Sequence, residues 1–310
     1  MSGIDRDYTA YFNGEWMPLS EVKIHPMDAG FVVGDVVFDL GRTFNGKSFR
    51  LKEHVDRLWR SLKFVRIDPR MSSDEMIEIS EEAFRRNEHL RGDAEDLTVR
   101  QFVTRGLGGR TKNVSPPTVG VIVGHVEFSS FAHLYDVGAH GIITRTRSHP
   151  AETIDAKLKH YSRLNFNLAE LEAADVDPEG RPILMDMDGY LTEGTGYNVF
   201  IVTNGVIRTP TARSILQGIS RGMVIELANQ LGLVAVEEDL QPYDLYTADE
   251  AFFTGTSPCV LPCTRADNRQ IGDGRPGPIT KQLLAAWSEA VGVDIVGQAT
   301  HSISAQPNQV

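Results

Sequence analysis

Two stretches of this chain hold residues whose types and spacing suit chemistry. Leu191-Thr192-Glu193-Gly194-Thr195-Gly196-Tyr197-Asn198-Val199-Phe200 places a carboxylate in a glycine-rich turn that runs into an apolar strand. Further on, Leu216-Gln217-Gly218-Ile219-Ser220-Arg221 offers two backbone N–H groups and a hydroxyl at a helix start, where a phosphate binds well. An anion cradle beside a fixed carboxylate suits a cofactor that carries a phosphate and a basic ring nitrogen. Pyridoxal phosphate fits that description, and it needs a lysine amine for a Schiff base.

Lys159 is the candidate amine. It lies in Asp155-Ala-Lys-Leu-Lys159-His-Tyr-Ser-Arg-Leu-Asn165, where a strand is expected to give way to a helix from about Ser162. Burial against an electrophile would depress its pKa and let it act first as nucleophile and then as proton shuttle. Any single lysine is by default a solvated charge, and Lys157 would share a strand face with Lys159, so periodicity leaves the two open. The other residues also have ordinary readings. Glu193 is either a turn carboxylate or the partner of a protonated ring nitrogen. Ile219 and Ser220 are either a helix cap or a phosphate site. Thr254-Gly255-Thr256-Ser257 is either a turn or a second source of donors. Arg57, on a helix with His54, is by default a surface charge.

The elements that must position these groups can be read from punctuation and period. Asn13-Gly14 and Asn45-Gly46 mark hairpin turns. Val32 to Leu40 reads as a buried strand, and Glu53 to Val65 as a helix with Val55, Leu58, Leu62 and Val65 on one face. Met76, Ile77, Ile79 and Ala83 suggest another helix, capped at Ser73. Leu97 to Thr104 and Thr118 to Val126 read as strands, joined by a glycine-rich loop from Arg105 to Pro117 that could act as a gate. Beyond Glu127 to His133, strands alternate with helices: a strand at 139–145, a helix with Leu164, Leu168 and Leu171 on one stripe, a hairpin at Asn204-Gly205, a helix from Ser220, strands near 233–237, 250–255 and 259–263, and a last helix after Pro278. The expected fold is α/β (α+β), with a small N-terminal domain over 1–127, a connection over 128–137 and a larger cofactor-binding domain over 138–310.

Composition bounds the partners. With 310 residues and 41% hydrophobic content the chain can bury a large core in two domains. A formal charge of −11 argues against nucleic acid or anionic membrane as the main partner. No apolar run approaches the roughly 20 residues needed to span a bilayer. The start, MSGIDRDYTAYFNGEW, lacks the apolar core of a secretory signal. Cys259 and Cys263, the only cysteines, read as buried thiols of a cytoplasmic protein, with a metal or redox pair the lesser reading. The tail from Gln298 shows no periodicity and is expected to be mobile.

Taken in order, these motifs give the chain a family resemblance. Gly34-Asp35 with Phe38, Phe49-Arg50-Leu51 with His54-Val-Asp-Arg57-Leu58, Lys159, the Leu191 to Asn198 string, Leu216 to Arg221 and Ile271 to Lys281 together resemble the fold type IV pyridoxal-phosphate enzymes, the class IV aminotransferases. The resemblance runs from Tyr11 to about Val293 and implies a two-domain fold type IV architecture. It implies further that Lys159, not Lys157, forms the Schiff base, and that Glu193 partners the pyridine nitrogen. Arg57, Ile219, Ser220 and Thr256 would form the phosphate cup, with Leu216 under the ring. It also implies a homodimer with the active site near the subunit interface.

Within that group the substrate residues are mixed. Phe38, Arg42 and Arg100 agree with the branched-chain pattern, although Leu164 replaces a tyrosine and Thr98 stands where that pattern has another. Phe31 replaces the tyrosine of the D-amino-acid aminotransferases. Val33 and Phe38 replace the histidine or arginine and the tyrosine of the (R)-amine transaminases. Leu40 replaces the threonine of aminodeoxychorismate lyase, and a leucine cannot relay a proton. Phe31, Val33, Phe38 and Leu40 are expected to wall an apolar pocket. Arg42, Arg100 and Arg110 are the candidates to meet a substrate carboxylate, Arg110 from the gate loop. Strand alternation puts Thr98, Arg100, Phe102 and Thr104 on one face, and an inward arginine needs an anion, either substrate or an internal acid such as Asp39. The expected activity moves an amino group between an amino acid or (R)-primary amine with an apolar side chain and a 2-oxo acid. Branched-chain L-amino-acid or D-amino-acid aminotransferase and the lyase are the alternatives.

Overall fold

Asn-Gly pairs close the first two hairpins. In the computed structural model, which describes residues 7–92, 95–108 and 115–304, β1 (Thr9–Phe12) and β2 (Glu15–Pro18) join through Asn13 and Gly14, both at positive φ. That conformation matches the strand twist, and asparagine and glycine bear it at least cost. The chain divides into two units, Met1–Val126 with Leu158–Ser162, and Glu127–Lys157 with Arg163–Val310.

In the first unit, β3 (Val36–Phe44), β4 (Lys47–Ser48), β5 (Leu97–Thr104) and β6 (Thr118–His125) complete an antiparallel sheet in the order β2-β1-β6-β5-β3-β4. The pleat sends alternate side chains to opposite faces. Val37, Val99, Val103 and Val121 meet Leu58 and Leu62 of α2 (Leu51–Val65) and Met76 of α3 (Ser73–Asn87) in one core. Val36, Phe38 and Phe102 cluster with Phe12 and Ile122 on the other face. The run expected as one strand from Val32 is split. Asp28 caps a short helix, α1 (Ala29–Val33), by accepting from the Gly30 N–H at 2.8 Å, and Gly34 ends it at φ 70. A Cβ at Gly34 would lie 2.3 Å from the Ser162 hydroxyl, so the turn requires glycine on two counts. Likewise α3 is capped one residue earlier than expected: Ser72 and Glu75 form a reciprocal capping box, with the Ser72 N–H donating to Glu75 at 2.7 Å.

The second unit holds a mixed nine-stranded sheet. Its strands are β7 (Ala139–Arg147), β8 (Arg181–Met185), β9 (Glu193–Gly194), β10 (Tyr197–Thr203), β11 (Val206–Thr209), β12 (Ala235–Glu237), β13 (Glu250–Gly255), β14 (Cys259–Ala266) and β15 (Arg269–Gln270). The order is β12-β11-β10-β13-β14-β7-β8, with β9 on β10 and β15 on β14. Helices α4 (Leu134–Val137), α5 (Leu164–Val176), α6 (Ile219–Gln230), α7 (Pro242–Tyr246), α8 (Pro278–Val291) and α9 (Ile295–Ser304) complete it. Two expectations are corrected here. Helix α5 starts at Leu164, and its stripe of Leu164, Leu168 and Leu171 is exposed, whereas Phe166, Ala169 and Ala173 are buried. The two alanines allow close approach to the sheet, so small side chains and not the leucines mark the packed face. The tail expected to be mobile from Gln298 is helical to Ser304, with Ala299 and Ser302 buried. Cys259 and Cys263 are buried and free, and burial pushes the Cys263 thiol up to about 12, which keeps it a protonated core residue. Among the described residues no helix is long and apolar enough to cross a membrane.

Candidate active site

The candidate lysine is positioned by β3. The segment around Lys159 runs beside the first residues of that strand: the Phe38 N–H donates to the Lys159 carbonyl at 3.0 Å, His160 bridges Val37, and the Tyr161 N–H donates to the Val36 carbonyl at 3.3 Å. These bonds fix where the side chain starts. The Lys159 Nζ lies 4.8 Å from the centroid of the Phe38 ring, whose π face attracts a cation. Lys157 is differently engaged, with its Nζ on Asp155 at 2.9 Å and its side chain 44% exposed.

Asp39 points to the opposite face of β3, toward α2. His54 and Arg57 are one helical turn apart and so share the face that meets it. Arg57 grips both oxygens of Asp39, Nε and one terminal nitrogen each at 2.8 Å, and His54 Nδ1 lies 2.7 Å from the same carboxylate. All three side chains are buried. Burial alone would raise the Asp39 pKa, but Arg57 first and His54 second hold it well below the usual carboxylate range. Burial lowers that of His54, leaving a neutral ring that donates from Nδ1. Arg57, read by default as a surface charge, is therefore a buried and oriented cation. Because folding depresses the Asp39 pKa, its contribution is present above 3.8, the ordinary aspartate value, and is lost as pH falls. We expect Asp39→Asn to cost about 3–5 kcal/mol at neutral pH, since it strands a buried guanidinium. Urea unfolding should show that gap narrowing as pH is lowered through 3.8.

The three arginines proposed for a substrate carboxylate separate. Arg42 is 2% exposed, bonds Asp96 at 3.3 Å and the Thr43 carbonyl at 2.9 Å, and lies over the Phe44 ring. Asp96 also accepts from the Thr43 hydroxyl and from the Asn45 and Gly46 N–H groups. Arg42 thus locks the β3–β4 hairpin and is not available to substrate. Arg100 shares a face with Phe102 and pairs across the sheet with Leu40 and Ile122, but it is exposed, and Asp39 lies on the other face with Arg57. Its neighbour is the Tyr161 hydroxyl. Arg110 lies outside the described residues. Of the expected pocket wall, Phe38 is buried under Lys159 and Leu40 is half-buried, whereas Phe31 and Val33 are 75% and 65% exposed on α1. Phe31 nonetheless edges a recess of about 420 Å³ that also meets Val36, Phe102, Ile122 and Tyr161.

A second group of candidate residues lies in the second unit. Glu193 on β9 sits opposite Asn198 on β10. Its Oε2 accepts from the Leu216 N–H at 3.0 Å and from Asn198 Nδ2 at 3.3 Å, while Asn198 Nδ2 also donates to the Leu216 carbonyl at 2.9 Å. Asn198 therefore ties the glycine-rich turn to the approach of α6. Arg163 lies near: burial lowers its pKa, and Glu193 and Glu170 oppose that shift. Helix α6 begins at Ile219 behind Gly218, which makes no side-chain cap, so its first N–H groups lack the acceptor that a capping serine would supply. A Cβ on Gly218 would meet Asn198 Oδ1 at 2.3 Å. The turn after β13 closes on the same place, since a Cβ on Gly255 would lie 3.0 Å from the Gly196 carbonyl. Thr195 Oγ1, in the glycine turn, is buried without a hydrogen-bond partner among the described residues. Glu193, Leu216, Ile219, Ser220 and the Thr256 turn are thus gathered around one oriented carboxylate and one uncapped helix start, an arrangement that fits a phosphorylated pyridine.

Sequence reasoning missed three contributors. Asp39 is the clamp of Arg57, and a His-x-x-Arg pair opposite a strand acid was its signal. Asn198 clamps Glu193, and Tyr161 covers Phe38, at 4.2 Å between ring centroids.

Residues 36–266 match the family described as amino-transferase class IV. The chain belongs to the class IV aminotransferases. A Methanocaldococcus jannaschii relative is 38% identical over 90% of this chain and 95% of its own length. The Pseudomonas aeruginosa branched-chain-amino-acid aminotransferase is 31% identical over 94% of this chain and 95% of the relative. Among solved structures, the Escherichia coli branched-chain amino acid aminotransferase superposes with a TM-score of 0.79 at 29% identity, covering 93% of this aminotransferase and 95% of that chain. A second branched-chain amino acid aminotransferase, crystallised as a complex with N-(5'-phosphopyridoxyl)-L-glutamate, superposes with a TM-score of 0.82 at 30% identity over the same shares of the two chains. The mixed α/β architecture of this aminotransferase is that of its structural neighbours.

Proposed function

We propose that this class IV aminotransferase uses pyridoxal phosphate to move the amino group of a branched-chain L-amino acid to a 2-oxo acid. The observation that carries the reading is the Glu193 carboxylate, oriented by Leu216 and Asn198 beside the uncapped start of α6. When bound, the cofactor supplies a sink for the electron pair left at the substrate Cα. Glu193 would keep a proton on the ring nitrogen, and Ile219, Ser220 and Thr256 would receive the phosphate, together with Arg57 already oriented by Asp39. Leu216 would support the ring. Lys159 Nζ would take the proton from the substrate Cα and return it at the cofactor C4′. Names of the relatives support the substrate class, and so does the apolar recess beside Phe31. A wider range that includes (R)-amines leans on Arg110, outside the described residues. The two buried thiols support a cytoplasmic setting.

The test is a donor panel of L-leucine, D-alanine and (R)-1-phenylethylamine, with pyruvate and 2-oxoglutarate as acceptors. Turnover of L-leucine with 2-oxoglutarate is expected to exceed the others. Loss of that preference would reject the branched-chain assignment, and no turnover of any pair would reject the function. We further propose a homodimer with the site near the interface, supported by the apolar Phe31, Val32 and Val33 left exposed on α1. Light scattering should then give twice the 34.3 kDa of one chain; a monomer mass would refute it.

A further inference from the structure

Helix α1 carries one wall of the recess in the first unit, and its own packing does little to hold it there. Of its five residues only Ala29 is buried, while Phe31, Val32 and Val33 are exposed. A helix this short is unstable in water by itself, so its place is set by what grips its ends. At its end the Ser162 hydroxyl donates to the Gly34 carbonyl at 3.0 Å. At its start the grip is Asp28, a carboxylate only 1% exposed. Oδ1 of Asp28 accepts from the Gly30 N–H at 2.8 Å. Oδ2 accepts from the Thr104 hydroxyl at 2.9 Å and the Thr118 hydroxyl at 2.6 Å. Those two threonines face each other as the last residue of β5 and the first of β6. The Ala29 N–H adds a bond to the Gly106 carbonyl at 2.9 Å, and the Gly106 N–H returns to Thr104 Oγ1 at 2.9 Å. The seat is close as well, since a Cβ on Gly30 would lie 2.6 Å from Thr104 Cγ2. One carboxylate thus fixes how far Phe31 on the helix stands from Phe102 and Ile122 on the strands, which are opposite walls of the recess.

We propose that Asp28 is a positioning residue that sets the width of this recess, and with it the size of apolar side chain that the recess holds. Asp28 does not line the recess and acts through α1. Hydrogen bonds to an ionised acceptor are roughly twice as strong as neutral ones, so three of them replace the packing that α1 lacks. This role rests on the aminotransferase function proposed above, with the recess as the place of the substrate side chain.

Thr118→Val removes one donor to Asp28, keeps nearly the same shape, and lies outside the recess. In the holoprotein, kcat/KM for L-leucine should fall about fivefold, the scale of one lost hydrogen bond, and the fall should lie in KM. That for L-alanine, whose methyl group is too short to reach the far wall, should change by less than twofold. Asp28→Asn should shift the ratio in the same direction, and Thr118→Ser, which keeps the hydroxyl, should behave as wild type. A leucine-to-alanine ratio within twofold of wild type in Thr118→Val overturns the proposal. Calorimetry reads the same wall without turnover. Thr118→Val should bind 4-methylvalerate about fivefold more weakly than wild type and propionate equally well. Equal 4-methylvalerate affinity in the two proteins, or no 4-methylvalerate binding by wild type, overturns the proposal. Inactivity of wild type on every donor would count against the aminotransferase function alone, because the affinity comparison still decides the role of Asp28.

Discussion

Lys159→Ala is expected to lower kcat/KM by at least about 10⁴-fold, because in the proposed function one amine serves as both nucleophile and proton carrier. Lys157→Ala should retain most activity, since that ammonium is paired with Asp155 and its side chain is partly in solvent. The contrast is sharp because the two side chains start two residues apart yet belong to different units. Steady-state rates of both variants, with far-UV circular dichroism to show intact folding, decide the point. Comparable losses in the two would assign the chemistry elsewhere. Borohydride reduction followed by peptide mass mapping should place the cofactor adduct on Lys159 and nowhere else.

The second large effect is expected at Glu193. Glu193→Gln should lower the rate by about 10²–10³-fold, the scale of losing one oriented electrostatic partner of the reacting system. A neutral amide cannot hold a proton on the ring nitrogen, so the Cα electron pair loses its sink. The local geometry should survive. The amide oxygen can still accept from the Leu216 N–H, and Asn198 keeps its bond to the Leu216 carbonyl. Cofactor content, read by absorbance after gel filtration, should therefore match wild type. A rate within threefold of wild type would remove Glu193 from the mechanism.

Much of this site was legible in the sequence because its parts are local. Glycine turns and a Gly-Ile-Ser helix start show within a few residues, whereas Lys159 was singled out by the resemblance and its place beside β3 is a long-range pairing. What was hidden depended on pairings far apart in the chain. Arg42 shares a strand face with Phe38 in the pattern, but its fate is set by Asp96, just before the neighbouring strand β5. Asp39 looked available to Arg100, yet the pleat sends the two to opposite faces. The leucines of α5 have helical period, and period alone does not say which face packs: Ala169 and Ala173 took that role because small side chains let backbones approach. Val32 to Leu40 looked continuous because most of its residues are apolar, with only Gly34, Asp35 and Asp39 between them. Only the Asp28 cap and the left-handed Gly34 break it.

One consequence concerns inheritance. Residues 127–157 and 163–310 belong to one unit, while Leu158–Ser162 belong to the other. A gene joint at residue 126 would therefore encode a first unit without its lysine, leaving the Phe38 N–H without the carbonyl it bonds and Gly34 without the Ser162 hydroxyl on its carbonyl. No single crossover separates the two units intact. An exchange that keeps the first unit whole must therefore bring Leu158–Ser162 along, the short segment that holds the proposed catalytic lysine.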